Sequence, residues 1–449
     1  MNSSLQLTSA LAGEENKLLA CVHCGLCLEA CPTYVHTGDE NDGPRVRIYL
    51  MRAVEEGRLD ATAKSFRRHI NRCLGCRACE SVCPAGVEYG QLLEAARSDL
   101  SRAPVKQSGW TSRLLRFTLR HIWLHPGRLR FAFALARLMR DARLSNLLIK
   151  LRLARLLSPR LEFALALLDG SRAGKLRERT RGARTLPSNA AQEVLLFKGC
   201  VTEGLFARVN RATARVLEVN DSRVSAPAAQ VCCGALHAHA GDLEGARELA
   251  RRNIDAFDNT EASIVTNAGG CGAMLVSYAH LLAEDPEYSA RAREFSARVL
   301  DISQQLEKSG VRRGAELNLD VTTYDASCHL LYGQRADTAP LEMLHSIPGL
   351  NFVPLAGSEM CCGGAGVYNL LEPELSARVL DEKLAHIEET GARTLSTGNP
   401  GCHMQIAAGA RLKGIKLARV CHPVELLDES YERAGFYQAA TRDDSQKAG

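Results

Sequence analysis

The sequence predicts an α+β chain with a helical N-terminal module, a helical linker region and two tandem α/β domains with parallel sheets. Three observations predict it: eight cysteines lie within residues 21–83, a strongly basic apolar stretch follows, and the remaining nine cysteines form a repeated pattern. The 449 residues are enough for about two to four domains. We expect domains over residues 1–101, 102–190, 191–315 and 316–435, with a polar tail over 436–449.

The N-terminal cysteines form two copies of one short motif, Cys-x2-Cys-x2-Cys-x3-Cys-Pro. This is the ligand run of a two-cluster bacterial ferredoxin, in which the cysteine before the proline binds the other cluster. The motif therefore predicts two [4Fe–4S] clusters with crossed ligands. The cysteines of set 1 are Cys21, Cys24, Cys27 and Cys83, and those of set 2 are Cys73, Cys76, Cys79 and Cys31.

Structural zinc and disulfides explain this doubled motif less well than iron–sulfur clusters do. Zinc sites usually take two ligands from each of two short hairpins, which is a different spacing. Residues 1–13 lack the charged start and the long apolar stretch of a secretory signal. We therefore expect a cytoplasmic protein whose thiols are reduced.

The basic stretch over residues 102–184 is the least balanced part of a chain whose net charge is only +5. It holds twenty Lys and Arg residues against four acidic ones, and apolar residues recur between the arginines at helical spacing. Three interpretations remain open: helices that pack on the protein and keep their arginines in solvent, a docking surface for a partner subunit, or contact with an anionic membrane surface. No nucleic-acid-binding motif accompanies the charge, and no apolar run reaches the roughly 18 residues of a membrane span.

The cysteines after residue 190 form two further sets at nearly constant spacing. Equivalent members lie 128, 129 or 131 residues apart, which indicates two copies of one domain. Cys421 has no counterpart in the first copy, and we interpret it as structural. The cysteines of set 3 are Cys200, Cys232, Cys233 and Cys271, and those of set 4 are Cys328, Cys361, Cys362 and Cys402.

Short apolar strands precede these cysteines in both copies, and helical patterns follow them. We expect strands at residues 194–197, 263–266, 321–324 and 394–397, and helices at residues 203–219, 242–257 and 373–389. Side chains beyond the carboxyl ends of parallel strands gather at one edge of the sheet. Set 3 should therefore converge at one sheet edge and set 4 at the other.

Sets 3 and 4 each contain a Cys-Cys-Gly triplet. Adjacent cysteines are poor disulfide partners for each other in a reducing compartment, so the triplets predict paired thiolates at a metal or cluster, with glycine permitting a tight backbone. Reduced cysteines that are simply buried in a core remain the alternative.

Together with these motifs, further segments resemble the iron–sulfur subunit of bacterial glycolate oxidase. The resemblance covers almost the whole chain and extends to the heterodisulfide reductase cysteine-rich subunit and to the iron–sulfur subunits of lactate and anaerobic glycerol-3-phosphate dehydrogenases. The order of the motifs, with Asn-Ile-Asp-Ala at 253–256, favours the glycolate type. The matching segments lie at residues 20–25, 31–34, 43–45, 47–50, 73–74, 232–235, 252–256, 270–273 and 361–366.

The resemblance implies a subunit of an oxidoreductase complex that relays electrons and has no catalytic residues of its own. Glycolate would be oxidised to glyoxylate on separate FAD-containing subunits; no Gly-x-Gly-x-x-Gly turn follows a strand in this chain. Electrons would leave through the clusters towards a membrane quinone or another carrier. The chain would lie in the cytoplasm, in peripheral contact with the inner face of the cell membrane. Lactate and glycerol-3-phosphate relatives share these ligands and remain alternatives.

Met274 and Gln405 depart from the heterodisulfide reductase pattern, because they occupy positions where a second cysteine would supply a fifth thiolate. Four thiolates per set leave room for an ordinary cluster, a zinc ion or an empty site, and disfavour the special cluster and disulfide reduction. A thiol–disulfide enzyme and a metal-clamped scaffold remain the rival functions.

Several residues beside the cysteines receive only a weak assignment. We give no role to Arg45 or Arg47, because Pro44 opening a helix explains their segment. His23 is either a tuning hydrogen-bond donor or a solvated loop residue. The weaker metal candidates are His329, His403 and His422.

Overall fold

The computed structural model describes residues 9–103, 110–172, 192–258 and 260–437. Residues 1–8 of the N-terminus, 173–191 of the basic stretch and 438–449 of the expected polar tail lie outside the described residues. Within the described residues, the predicted order of helical module, helical linker and two parallel α/β domains is confirmed.

The N-terminal module is a group of short helices joined by cysteine-bearing loops. Pro32 and Pro44 each occupy the first turn of a helix, where the missing N–H costs nothing. A small core that includes Met51, Phe66 and Leu92 holds the helices together. The helices are α1 (Glu15–Leu19), α2 (Pro32–Thr37), α3 (Pro44–Glu55), α4 (Lys64–Asn71), α5 (Ala78–Ser81) and α6 (Tyr89–Arg102).

The linker region is helical as predicted, and it packs on both α/β domains. Arg143 and Arg152 adopt left-handed backbone conformations, which divide the helical run into short pieces. A π-helical turn over Leu119–Trp123 precedes Pro126. The helices are α7 (Trp110–Thr118), α8 (Pro126–Asp141), α9 (Leu144–Lys150), α10 (Leu153–Leu157) and α11 (Pro159–Gly170).

The first α/β domain has a four-stranded parallel sheet with the order β2-β1-β3-β4. Its strands are β1 (Gln192–Phe197), β2 (Ser222–Ser225), β3 (Ser263–Thr266) and β4 (Val299–Asp301). Its helices are α12 (Cys200–Leu205), α13 (Ala207–Val219), α14 (Ala235–His239), α15 (Leu243–Ala256), α16 (Gly269–Val276), α17 (Tyr278–Leu281), α18 (Ser289–Ala297) and α19 (Ile302–Ser309).

The second α/β domain repeats the plan with a three-stranded parallel sheet in the order β5-β6-β7. A π-helical turn over His329–Gly333 follows β5. The strands are β5 (Thr322–Asp325), β6 (Thr394–Thr397) and β7 (Arg419–Cys421), and the helices are α20 (Ala339–His345), α21 (Tyr368–Leu371), α22 (Pro373–Glu389), α23 (Pro400–Lys413) and α24 (Pro423–Arg433).

One hydrophobic core crosses the boundary between the two α/β domains. It combines Val216 of α13, Leu306 of α19, Met343 of α20 and Leu427 of α24, all fully buried or nearly so. The two copies therefore form one double domain, and the turns after β3 and β6 meet, since the Gly269 N–H donates to the Gly398 carbonyl at 3.0 Å. Every described helix is too short or too polar to cross a lipid bilayer.

Candidate functional site

Set 1 surrounds a small cavity at the surface of the N-terminal module. Its four thiols line this cavity together with Pro44, Arg45 and Pro84. Burial raises the pKa of the Cys21 thiol, and Cys83, which is distant in sequence but close in space, raises it further. Cys24 is exposed and His23 has a positive φ of 54°, so the loop presents set 1 to solvent. The crossed arrangement expected for Cys83 is therefore reproduced in space.

Set 2 surrounds a second cavity, which is deeper. Cys31, Cys73, Cys76 and Cys79 line it, together with Thr33, Arg47 and Tyr89. Burial raises the pKa of the Cys79 thiol well above its usual value, and the neighbouring Cys76, Cys73 and Cys31 raise it further. The Tyr89 hydroxyl lies 3.7 Å from Cys73 Sγ. Cys31 thus lies with the motif that follows it by about 40 residues, as the crossed ligand pattern requires.

Arg47 is a functional candidate that the sequence interpretation missed. It is fully buried, its Nη1 lies 4.0 Å from Cys31 Sγ, and it donates to Thr33 Oγ1 at 3.0 Å and to the His69 carbonyl at 2.8 Å. Asp42 balances the charge, since its carboxylate lies 3.5 Å from Arg47 and also contacts His69 and Arg72. The sequence signal for Arg47 was the Arg-x-Arg segment after Pro44, but the spacing of two arginines does not show which of them is buried.

Set 3 converges beyond the carboxyl ends of β1 and β3, as predicted. Cys200 Sγ and Cys232 Sγ are 3.4 Å apart, and the Cys233 thiol lies beside those of Cys232 and Cys271. Trp123 of the linker packs against this group, and its indole N–H is buried without a conventional partner. The same indole lies close enough to lower the pKa of Cys200, although the hydrogen bond with Cys232 and burial raise it more.

Set 4 converges in the same way beyond β5 and β6. The Cys361 thiol lies beside those of Cys328 and Cys362, and the Cys362 thiol lies in turn beside that of Cys402. Its four thiols therefore form a continuous chain of contacts. The hydrogen bond with Cys362 and burial together raise the pKa of Cys402 well above its usual value.

Sets 2 and 4 lie next to each other across the boundary between the N-terminal module and the second α/β domain. Leu74, Cys76, Cys328 and Cys361 belong to one packed group. Burial raises the pKa of Cys76, and the nearby Cys361 raises it further. This juxtaposition was not predicted, because the sequence does not reveal which copy contacts the module.

Two hydrogen bonds fix the contact between the loops that carry these two sets. His329 Nε2 donates to the Gly75 carbonyl at 3.0 Å, and the Tyr368 hydroxyl donates to the Arg72 carbonyl at 2.8 Å. The first α/β domain contacts set 2 less directly, because Arg97 links the Cys73 carbonyl to the His239 carbonyl. Trp123 and Leu124 of the linker pack against set 3.

Sets 3 and 4 also differ in the charged residues that lie near them. Lys383 Nζ and Asp325 Oδ1 form a buried ion pair at 2.8 Å, and the thiols of Cys362 and Cys402 lie close enough to raise the pKa of Lys383 against the effect of burial. The corresponding position in the first copy is Asn253, a neutral residue that donates to the Cys232 carbonyl at 3.0 Å. Set 4 therefore has a buried cation nearby, and set 3 does not.

The chemistry of all four sets fits a bound metal or cluster better than free thiols. Four sulfur atoms converge in each set, and their burial and mutual proximity raise the pKa of Cys76, Cys79, Cys200 and Cys402. A bound cation removes this penalty, since it deprotonates coordinating thiols outright. The unpartnered indole N–H of Trp123 is a donor suited to an anionic sulfur.

The remaining positions that the sequence analysis singled out have packing or capping roles. Met274 is buried in the core of the first copy, and Gln405 bonds Asn369 and Ser376 in the second, so neither faces an incomplete ligand site. Cys421 lies in β7 within the shared core, in keeping with a structural role. His403 packs against Phe206, and His422 caps α24 through its Nδ1.

Comparisons with known proteins agree with this division of the chain. A family described as a 4Fe-4S dicluster domain matches residues 17–87, and a family described as a cysteine-rich domain matches residues 194–276 and 322–407. The first match contains sets 1 and 2, and the other two contain sets 3 and 4. This combination of an iron–sulfur dicluster domain with two cysteine-rich domains is that of an electron-transfer subunit of an oxidoreductase.

Full-length relatives narrow the family further. The chain is 38% identical to the probable glycolate oxidase iron–sulfur subunit of Bacillus subtilis (strain 168), over 93% of this chain and 95% of that protein. It is 31% identical to the glycolate oxidase iron–sulfur subunit of Escherichia coli (strain K12), over 95% and 97%. Lactate utilization protein A of Oceanobacillus iheyensis is 34% identical, but over only 54% of this chain. This protein therefore belongs to the family of glycolate oxidase iron–sulfur subunits.

Proposed function

We propose that this chain is the electron-transfer subunit of a glycolate-oxidising complex, and that FAD-containing partner subunits oxidise glycolate to glyoxylate. The observation that carries this proposal is the combination of two ferredoxin-type cysteine sets with two cysteine-rich domains in one chain, along the full length of glycolate oxidase iron–sulfur subunits. The bound clusters would supply one-electron transfer, and no residue of this chain would act as a general acid or base.

Sets 1 and 2 are the proposed ligands of two [4Fe–4S] clusters. Their crossed grouping around two cavities supports this assignment, because the four thiols of set 1 line one cavity, which Cys79 also reaches, and the four thiols of set 2 line the other. Arg47 would hold a positive charge beside set 2, and Thr33 and Tyr89 would orient Cys31 and Cys73. Sets 3 and 4 are proposed to hold a further cluster or zinc, each with four thiolates.

The donor side of the relay is proposed to be set 1. Cys24 is exposed, and exposed apolar side chains surround its loop, among them Val22, Leu26 and Val82. Such a patch around a redox centre is a natural contact for a flavoprotein partner, because a short distance between centres and a dry interface both favour transfer.

The acceptor side is proposed to be set 4, because Cys76 of set 2 packs against Cys361 and Cys328. From there electrons would pass to a membrane quinone or another carrier, with the chain in peripheral contact with the inner face of the membrane. The domain boundaries proposed from the sequence, 1–101, 102–190, 191–315 and 316–435, enclose the three family matches without dividing any of them.

The identity of the substrate is tested by assembling the complex with its flavoprotein subunits and adding glycolate, lactate or glycerol 3-phosphate anaerobically. We expect glycolate to bleach the flavin and then the iron–sulfur absorption of this chain. Bleaching by lactate or glycerol 3-phosphate in place of glycolate would assign the chain to a related dehydrogenase. Thiol–disulfide activity of this chain alone would overturn the relay.

A further inference from the structure

The outer face of helices α7–α11 is the most apolar exposed surface in the described part of the chain. Of nineteen large hydrophobic side chains exposed among the described residues, twelve lie between residues 114 and 161. The most exposed are Leu156 at 81%, Leu157 at 78% and Phe131 at 73%. Scattered single leucines need no explanation, but twelve within one short region do.

These side chains form stripes, each on one face of its helix. On α8, Phe131, Leu135 and Leu138 follow one another at intervals of four and three residues. The opposite face of α8 is occupied, since Arg140 Nη1 donates to the Leu205 carbonyl at 2.9 Å and Phe133 fits against Gly204.

The same division continues in the next helices of the linker. On α9, Leu144 and Leu147 are exposed, as is Leu151 directly after it, whereas Ile149 and Ser145 are buried. Helix α11 packs on α23, with Gly170 close to Ala407. Because α8 to α11 pack on one another and on the α/β domains by their inner sides, their apolar stripes share the outer side of the molecule.

The charge of this region is predominantly positive. Residues 110–172 contain thirteen Lys and Arg residues and only three acidic ones. Two of the acids are already paired: Asp141 with Arg140, and Asp169 with Arg411. Arg152 and Arg155 are exposed directly beside Leu156 and Leu157.

An anionic bilayer surface fits these features better than a protein partner does. Amphipathic helices with leucine and phenylalanine on one side and arginine beside them lie in the membrane interface, where anionic lipids attract each basic residue. Ten of these twelve exposed side chains are leucine and none is tyrosine, tryptophan or methionine, whereas protein interfaces are enriched in aromatic residues, methionine and arginine.

We propose that the outer face of α7–α11 is a membrane-binding surface that inserts its leucine and phenylalanine side chains among anionic lipid headgroups. The proposal gives the peripheral contact of the proposed function a location on this chain. The proposal depends on the proposed function only for the biological purpose of membrane binding. Its test requires neither substrate nor electron acceptor.

Co-sedimentation of the cluster-loaded full chain with lipid vesicles tests this surface. Vesicles of phosphatidylcholine alone are compared with vesicles of equal parts phosphatidylcholine and phosphatidylglycerol. We expect the chain to bind the anionic vesicles and to dissociate with added salt. Leu156→Gln with Leu157→Gln should weaken binding by at least about tenfold. Leu412→Gln, an exposed leucine on α23, is the matched control and should bind as the native chain does.

A second pair of variants separates the contribution of charge. Arg152→Gln with Arg155→Gln should weaken binding to anionic vesicles by about tenfold. Arg52→Gln with Arg58→Gln, on the N-terminal module, should not. Iron content and the visible absorption spectrum report that each variant is folded, independently of lipid.

The proposal is overturned if the native chain stays in the supernatant with anionic vesicles, or if both linker variants bind as tightly as the native chain. Loss of assembly with the flavoprotein subunits in the linker variants, without vesicle binding by the native chain, would identify the surface as a subunit interface instead. A native chain that does not bind vesicles would leave the glycolate-dependent bleaching of the clusters in the assembled complex unaffected, so failure of this proposal is distinguishable from failure of the proposed function.

Discussion

Arg47 illustrates how one buried side chain supports a cysteine set. Its guanidinium lies 4.0 Å from Cys31 Sγ and is held by Thr33, by the His69 carbonyl and by Asp42. A fixed positive charge beside a cluster stabilises its reduced form, because reduction adds a negative charge. Sequence patterning could not reveal this, since an arginine one turn after Pro44 is just as compatible with a solvated helix face.

Replacing Arg47 by Met should therefore lower the reduction potential of one cluster and leave the other unchanged. A unit charge at 4 Å is worth about 4 kcal/mol at an effective dielectric of about 20, so a shift on the order of 100 mV is expected after partial screening. Redox titration followed by electron paramagnetic resonance measures it. Arg52→Met on the same helix is the control. Equal shifts in both variants, or none in either, would contradict the role of Arg47.

His422 provides a pH-dependent prediction at the same scale. Burial lowers its pKa to about 4, despite the nearby Glu425, which is itself paired with Arg208. The unfolded chain binds a proton on this histidine near pH 6.5, so stability falls as the pH drops from about 6.5 towards 4, by about 1.4 kcal/mol per pH unit.

The variant His422→Asn keeps a side chain that caps α24 and removes the titration. Its apparent melting temperature should fall less than that of the native chain between about pH 7 and pH 5. The two proteins are compared at equal iron content, so that loss of clusters in acid does not affect the comparison. A parallel fall in both proteins would show that His422 does not contribute.

At the scale of the elements, sets 3 and 4 occupy equivalent turns but have different surroundings. Set 4 packs against Cys76 and has the Lys383–Asp325 ion pair behind it, whereas set 3 is covered by Trp123 and has the neutral Asn253. The two copies contact different parts of the N-terminal module, since Cys361 of the second copy packs beside Cys76 whereas α14 of the first copy packs on α6.

The serine variants Cys233→Ser and Cys362→Ser should differ accordingly. Both should lose the metal of their own domain, and Cys362→Ser should also stop transfer from the reduced N-terminal clusters to an added quinone. Rapid-mixing absorption of the dithionite-reduced chain, with metal analysis, distinguishes them. Full transfer in both variants with unchanged metal content would show that the Cys-Cys-Gly triplets are structural remnants.

The elements themselves were largely predictable. The strands Ser263–Thr266 and Thr394–Thr397 begin and end where their apolar runs predict, and Pro373–Glu389 is one helix as expected. The helix predicted over 203–219 is interrupted at Phe206, which has a non-helical backbone between α12 and α13. The edge strands β2, β4 and β7 were missed, because such short strands with mixed polarity have no periodic signal.

The sequence predicts which cysteines form each set, but it does not predict how the sets lie relative to one another. The cysteines that the motifs placed in one set lie close together in the structure, and their assignment as ligands stays a prediction. Spacing carries no information about packing between domains, so the contact of Cys76 with Cys361 could be found only in three dimensions.

At the scale of the whole molecule, several side chains hold the N-terminal module against the double domain. Arg97 of α6 is one of them, because its Nη2 donates to the Cys73 carbonyl at 2.6 Å and its Nη1 to the His239 carbonyl at 3.0 Å. It joins set 2 to the first α/β domain, just as Tyr368 and His329 join it to the second.

Replacing Arg97 by Met should destabilise the chain by about 2 kcal/mol, because two carbonyls lose a charged donor. It should also speed the loss of iron from set 2 during dilution into chelator. Arg102→Met at the end of the same helix is the matched control, since its exposed pair with Glu244 at 3.7 Å should contribute less than about 1 kcal/mol. Equal iron loss in the two variants would remove Arg97 from this role.

The most direct test of the relay is the iron content and electron output of the anaerobically purified complex, for the native chain and for Cys76→Ser. The account predicts about eight iron atoms in sets 1 and 2 of the native chain, and about four fewer in the variant. Glycolate should still reduce the flavin of the variant at the native rate, while transfer to the final acceptor is lost. Zinc in place of iron at these cysteines, or an equal loss of flavin reduction in the variant, would contradict it.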